Sequence, residues 1–249
     1  MKITKLTAAA SAAILTVSML AGCTNTTSGS ATANETQAES TDVTAAAQVT
    51  APGTIYNFTE PVQGEEIAVI KVKDFGTIKV KLFPELLPTA VENFKGLIAM
   101  NYYDELIFHR VKKNFMIQGG DPRGNGTGGQ SMWGGSFDGG MAEGLYHFNG
   151  AVAYANSGST ATDGSQFYIV CNNDMQSVES QIQGLPDNVA QMYREKGGYP
   201  FLDGKYTVFG QVIEGMDVVE AISEVDTDEN DKPLKQVLME SIRIEKYGE

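Results

Sequence analysis

The densest chemistry in the chain lies between Phe108 and Asp121. Phe108-His109-Arg110-Val111 is followed closely by Phe115-Met116-Ile117-Gln118-Gly119-Gly120-Asp121. Read as one extended strand, this run alternates Phe108, Arg110, Met116 and Gln118 onto a single face. An aromatic ring, a permanent cation, a thioether and an amide would then share one surface. An arginine on a strand is, taken alone, usually solvated or paired. His109 is by itself a structural histidine more often than a base, and no carboxylate–serine constellation accompanies it. Ser165, in Asp163-Gly164-Ser165-Gln166-Phe167-Tyr168, would need a base, and neither His109 nor His147 is near it in sequence. The glycine run Gly124-Asn125-Gly126-Thr127-Gly128-Gly129 lacks the Lys-Ser/Thr of a phosphate loop and does not join a strand to a helix.

Composition narrows the classes further. The chain has 249 residues, with 18 Lys+Arg against 31 Asp+Glu and a formal charge of −13. That balance argues against nucleic acid as a partner, which needs a basic face. The two cysteines, Cys23 and Cys171, cannot build a disulfide scaffold or a cysteine zinc site, and two histidines make a histidine metal cage improbable. A hydrophobic fraction of 42% supports a sizeable core.

The elements that must position these groups are mostly strands. Glu66 to Lys73 and the strictly alternating Thr77 to Leu82 flank Asp74-Phe75-Gly76, a hairpin signal. Pro88 to Met100 changes period, with Val91, Phe94 and Ile98 at helical spacing and Pro88 suited to the first turn. Asp104 to Ile117 reads as one strand. Gly119 to Gly150 holds 12 of the 27 glycines and must be loops and tight turns. Strands are predicted at Gly150 to Tyr154, Gln166 to Cys171, Tyr206 to Val212 and Gln236 to Lys246. A second helix is predicted over Gly215 to Glu224, with Val218, Ile222 and Val225 on one face. Many strands with two separated helices suggest a closed antiparallel barrel capped by helices.

The first 54 residues read differently. Lys2 and Lys5 precede a charge-free run of 16 residues, Leu6 to Ala21, too short to span a bilayer and suited to a secretory signal. Leu20-Ala21-Gly22-Cys23 resembles the bacterial lipobox, which implies lipidation at Cys23 and a signal peptide over residues 1–22. Residues 23–54 are expected to be a disordered tether. Positions 24–54 contain 12 Ser/Thr and 7 Ala, with no aromatic, Lys or Arg. Its random-coil span is roughly 30 Å. Tyr56, the first aromatic, opens the folded domain at 55–249.

The blocks Phe108 to Asp121, Gly126-Thr127-Gly128-Gly129, Ala155-Asn156-Ser157, Gly164-Ser165-Gln166-Phe167 and Leu202-Asp203-Gly204-Lys205 stand in one order. So does the helix Pro88-Thr89-Ala90-Val91-Glu92-Asn93-Phe94. In order and spacing they resemble the cyclophilins, the cyclosporin-binding peptidyl-prolyl cis-trans isomerases, over residues 64–246. The resemblance implies a mostly β fold: a closed eight-stranded antiparallel barrel capped by two helices. It implies a catalytic Arg110, a proline pocket of Phe115, Met116 and Leu202, and a substrate groove of Gln118, Gly126, Ala155, Asn156, Ser157 and Gln166. Tyr168 stands where a pocket phenylalanine is usual, Phe201 where many members carry tryptophan, and Tyr206 where many carry histidine. All three keep an aromatic body, so they are expected in the substrate site, with altered neighbour preference and weak cyclosporin binding.

The implied reaction needs no cofactor and no metal, since nothing is cleaved. Its substrates would be proline-containing segments of exported proteins, met by a lipid-anchored monomer at the outer face of the cell membrane. Arg110 is expected to be the only permanently charged group in the pocket. Two other readings compete: a non-enzymatic peptide-binding chaperone using the same groove, and a tethered structural lipoprotein. Asn172 to Pro200 is about 20 residues longer than compact members require. A helix is predicted there, starting at Pro186-Asp187 and stopped by Gly197-Gly198, with Val189, Met192 and Tyr193 on its apolar stripe. So small a stripe must dock on something, either the barrel flank or, as a flap, beside the site.

Overall fold

The computed structural model describes residues 54–249. The expected signal peptide, Cys23 and nearly all of the tether therefore lie outside the described residues. Within the described residues, no helix is long and apolar enough to cross a membrane.

The first hairpin forms where alternation demands it. β1 (Glu66–Val72) and β2 (Gly76–Leu82) pair antiparallel, with Ile67 opposite Lys81 and Val72 opposite Gly76. Ala68, Ile70 and Val72 on one strand and Ile78, Val80 and Leu82 on the other enter the core. α1 (Pro88–Ala99) begins on its proline and buries Ala90, Val91, Phe94, Leu97 and Ile98. Asn93 fixes it to the sheet and to a loop, donating to Tyr154 Oη and the Gly164 carbonyl, both at 2.9 Å.

The stretch read as a single strand from Asp104 to Ile117 is instead a turn followed by a hairpin. β3 (Arg110–Lys112) and β4 (Phe115–Gly119) reverse direction at Lys113-Asn114, where Asn114 takes φ +55°. Asparagine tolerates that left-handed conformation, whereas hydrophobic content alone cannot signal the break. Arg110 now lies opposite Gln118 and Lys112 opposite Met116. Arg110, Met116 and Gln118 thus share one face across the hairpin, while Phe108, ahead of β3, is fully buried in the core.

β5 (Ala151–Tyr154), β6 (Phe167–Cys171), β7 (Val208–Glu214) and β8 (Met239–Lys246) complete the sheet. Its order is β3-β4-β6-β5-β7-β2-β1-β8, and the paired neighbours are antiparallel. The ladder is that of an open, curled half-barrel with β3 and β8 as its edges. Where a closed barrel was expected, the segments preceding these edges meet at one isolated bridge, Ile107 with Leu238. Cys171 on β6 is buried and free.

Three more helices follow α1. α2 (Met175–Glu179) and α3 (Asp187–Lys196) belong to the long connection after β6, and α4 (Met216–Ser223) follows β7 and buries Val218, Val219 and Ile222. α3 spans the interval predicted, and Gly197 ends it at φ +76°. α2 is not legible as a helix beforehand, being only five residues capped by Asp174. Val189, Ala190 and Tyr193 of α3 join Phe148, Val178 and Ile182 in a second apolar cluster, with Ile55 and Phe58 against it. The stripe thus docks on two neighbours, the 146–148 segment and the chain entering the domain.

Candidate active site

Arg110 leaves the hairpin half-exposed, and its charge is directed by one carboxylate. Its Nε and Nη2 donate to Asp231 Oδ2 at 3.3 and 3.2 Å. Lys112 Nζ reaches the same oxygen at 3.6 Å. The guanidinium also lies 5.9 Å from the centroid of the Phe115 ring. With side-chain exposures of 38% and 28%, Arg110 and Asp231 form a solvated pair, which fixes orientation more than it stabilises the fold.

A pocket of about 510 Å³ opens beside this guanidinium. Arg110, Phe115, Met116, Gln118, Gly126, Ala155, Asn156, Tyr168, Leu202 and Tyr206 all line it. Ten of the predicted residues are therefore brought together. Ser157 and Gln166 line an adjoining polar depression of about 300 Å³, which shares Gln118, Gly126, Ala155 and Asn156 with the pocket. Phe201 lines neither. It is 61% exposed, and its ring lies under Lys205 Nζ. The short 3-10 turn Pro200–Leu202 buries Leu202 and turns its neighbour outward.

The polar side of the pocket is a chain of amides. Gln118 Nε2 donates to Gln166 Oε1 at 3.0 Å, and Gln166 Nε2 donates to the carbonyls of Gly126 and Gly128 at 3.1 and 2.8 Å. The glycine loop is tied in turn to Asp121, whose carboxylate accepts from the N–H groups of Arg123, Asn125 and Gly126. Burial pushes the Asp121 carboxyl up, but these N–H groups together with that of Gly128 hold it below the usual carboxylate range. The loop's glycines are thus scaffold for Gln118 and Gln166. At Gly120, with φ +83°, a Cβ would lie 2.4 Å from the Ser165 carbonyl.

Several lining groups escaped the sequence reading. His109, Asp228, Asn230 and Lys232 also face the pocket. Lys232 corrects the expectation that Arg110 is its only permanent charge. The loop carrying these residues is built on Asp228, whose carboxylate accepts from Asn230 and Lys232 N–H at 2.8 and 3.0 Å. Asp231 takes φ +62° within it. Asp-Glu-Asn-Asp-Lys reads in sequence as a solvated turn, and contacts with β3, among them Val111 N–H to the Asp231 carbonyl at 2.8 Å, hold it at the site. His109 is buried, neither ring nitrogen has a hydrogen-bond partner among the described residues, and burial lowers its pKa. It is a neutral wall of the pocket.

A family profile described as cyclophilin type peptidyl-prolyl cis-trans isomerase/CLD matches residues 67–244. The chain belongs to the cyclophilin-type isomerases. A protein of Staphylococcus aureus (strain USA300) that carries a provisional peptidyl-prolyl cis-trans isomerase name is 44% identical over 187 residues, covering 74% of this chain and 94% of its own length. A protein of Staphylococcus haemolyticus (strain JCSC1435) with the same name is 42% identical over 187 residues, with the same coverage of both chains. Among solved structures, a Cryptosporidium parvum cyclophilin type peptidyl-prolyl cis-trans isomerase, crystallised in the presence of the dipeptide Ala-Pro, superposes with a TM-score of 0.59. It is 31% identical, and the match covers 72% of this chain and 98% of that one. The chain is therefore a peptidyl-prolyl cis-trans isomerase by family. Among its described residues no group of His, Cys, Asp and Glu could hold a metal ion.

Proposed function

We propose that the pocket seats the prolyl ring of an X-Pro segment against Phe115, Met116, Tyr168 and Leu202, and that Arg110 catalyses rotation about the preceding bond. The observation that carries this is a guanidinium, oriented by Asp231, in a cavity with an apolar wall of Phe115, Met116, Tyr168 and Leu202. The barrier to rotation is amide resonance, ~18–20 kcal/mol. A hydrogen bond from Arg110 to the prolyl nitrogen favours the pyramidal nitrogen of the twisted amide and weakens that resonance. Such a charge-assisted bond contributes about 1.5–3 kcal/mol. A rate gain of ~10⁵ needs roughly 7 kcal/mol. The remainder comes from the dry wall and from a groove that fits the twisted amide better than either planar isomer. Gln118, Gly126, Ala155, Asn156, Ser157 and Gln166 supply that groove's polar contacts. The Ala-Pro dipeptide used with the Cryptosporidium protein supports a proline ligand here.

The substrates in this reading are exported proteins, met at the outer face of the cell membrane by a monomer anchored through lipid on Cys23. Leu20-Ala21-Gly22-Cys23 after a charge-free run supports this placement. One acyl chain anchors marginally, so two are expected. Cyclosporin binding is weak, because Phe201 lacks the indole N–H that tryptophan offers, about 1 kcal/mol. The curled sheet is read as a barrel closed through the Ile107–Leu238 bridge.

The test is an NMR exchange or protease-coupled assay of the full chain on a short proline peptide. Accelerated interconversion is expected. Peptide binding without acceleration would instead establish a chaperone. Cys23→Ser is expected to release the protein into the medium, and retention at the membrane counts against the anchor.

A further inference from the structure

Tyr168 sets a physical problem. Its ring lines the pocket, yet it is buried, and a buried tyrosine hydroxyl needs a partner. The partner lies behind the wall. Tyr168 Oη is 3.0 Å from Nε2 of His147, a residue only 1% exposed. His147 Nδ1 is 2.9 Å from Asp203 Oδ1, which also accepts the His147 backbone N–H at 2.8 Å. The other oxygen, Asp203 Oδ2, accepts from Tyr193 Oη at 2.7 Å.

The hydrogen-bond sense of this chain follows from its acceptors. Asp203 has only acceptors to offer when ionised, so Tyr193 donates to it and His147 Nδ1 carries its proton. Nε2 is then bare and accepts from Tyr168. Burial raises the pKa of both tyrosines, which keeps each a donor. Every polar atom in the chain is satisfied in this one arrangement. Its effect is to draw the Tyr168 hydroxyl out of the pocket, so that the wall presents only ring.

The far end of the chain belongs to the insert. Tyr193 is fully buried on α3, within van der Waals reach of Phe148, with ring centroids 4.3 Å apart. A second tie reaches the same wall: Gln181, between α2 and α3, accepts the Phe201 N–H at 3.0 Å, one residue before Leu202. The insert's exit allows little slack. A Cβ on Gly198 would meet the His147 carbonyl at 2.3 Å.

We propose that Tyr193, Asp203 and His147 are positioning residues for the substrate pocket, through which the insert sets the place of Tyr168 and so how tightly the substrate's prolyl segment is held. This rests on the reading of the pocket as the proline site. The insert is then neither plain cover nor a flap over the site, but a brace behind its wall.

The experiment is a double-mutant cycle on the full chain, measuring kcat and KM for a proline peptide. Tyr193→Phe is expected to raise KM about fivefold with kcat changed less than about twofold, the loss of one buried hydrogen bond. Made in a Tyr168→Phe background, the same substitution is expected to leave KM nearly where that background puts it, because no hydroxyl remains to be held. An unchanged KM for a folded Tyr193→Phe protein overturns the proposal. So does an equal rise in both backgrounds, since that marks a general loss of structure. Should Tyr193→Phe not fold, Asp203→Asn takes its place in the same cycle with the same outcomes. A wild-type chain without turnover defeats the functional reading alone, and the cycle is then read as peptide Kd by NMR titration.

Discussion

The two walls of the pocket are held by opposite means. On one side the β3–β4 hairpin and the 228–232 loop meet in solvent, through the half-exposed Arg110, Asp231 and Lys112. On the other, Tyr168 and Leu202 stand on buried groups, His147 among them, with hydrogen bonds between 2.7 and 3.0 Å. Exposed charges are screened by salt and adjust at small cost. Buried donors and acceptors do not, because each lost partner leaves a group that water cannot reach. The wall that supplies charge is therefore adjustable, and the wall that supplies shape is fixed. A reaction that needs a twisted amide recognised, with nothing cleaved, is served by that division.

The largest effect should come from removing the one group proposed to touch the reacting amide. Arg110→Ala is expected to lower kcat/KM by about 10- to 100-fold, the value of a charge-assisted hydrogen bond. Its thermal unfolding should stay close to wild type, since the pair it breaks is solvated. Wild-type turnover in the folded variant would remove Arg110 from the mechanism.

The fixed wall predicts the reverse pattern. Tyr193→Ala empties a fully buried aromatic site and strands Asp203 Oδ2. It should cost about 3–5 kcal/mol of stability, as buried aromatic truncations do. Urea unfolding checks this, and a loss under 1 kcal/mol would show that α3 is loosely attached.

Asp231→Asn probes the adjustable wall. The amide keeps an oxygen to accept from Arg110 but loses the charge. A decrease in kcat/KM of about two- to fivefold is expected, shrinking as salt is added. A decrease as large as that of Arg110→Ala would mean that orientation by Asp231, not the cation itself, carries the rate.

How much of this was legible beforehand follows the same division. The fixed elements announce themselves: the alternation of Thr77 to Leu82, the helical spacing of Val91, Phe94 and Ile98, and the proline and glycines that bound α3. Ten pocket residues were placed by their resemblance to a family, not by spacing, because Arg110, Tyr168 and Leu202 come together only through the sheet order. Asp231 and Lys232 carry no such signal. They sit in a polar turn whose approach to β3 is a tertiary fact. The Tyr193–Asp203–His147–Tyr168 chain is equally silent, since its members lie on four separate segments and each alone reads as an ordinary core or turn residue. Phe201 lies outside the pocket lining for a local reason: a 3-10 turn points successive side chains apart, so burying Leu202 exposes its neighbour.

The smallest expected effect concerns Asp163, under the pocket's amide side. Its Oδ1 accepts from Asn156 Nδ2 at 3.1 Å, and its Oδ2 lies 2.6 Å from Thr207 Oγ1. Thr207 Oγ1 is also 2.7 Å from the Gly140 carbonyl, and its single proton cannot serve both oxygens. If Asp163 is protonated, its own hydrogen goes to Thr207, whose hydroxyl then donates to Gly140, and both contacts are made. Burial pushes the Asp163 pKa up to about 6, in keeping with that count, even though Thr207 and Asn156 pull it down. The unfolded chain holds this proton less tightly, so between the unfolded value near 3.8 and about 6 the native state binds more protons. The contribution of Asp163 to stability is thus fully present below the unfolded value and declines as pH rises to about 6. Asp163→Asn carries a permanent N–H toward Thr207, so the decline attributed to this site should be absent from its urea-unfolding profile between pH 4 and 6.5. Asn156 keeps its partner in either state, so kcat/KM should change less than about twofold across the same interval. A stability profile identical for the two proteins would show that Asp163 is ionised in the native state throughout, with Thr207 donating to it and the Gly140 carbonyl left to another partner.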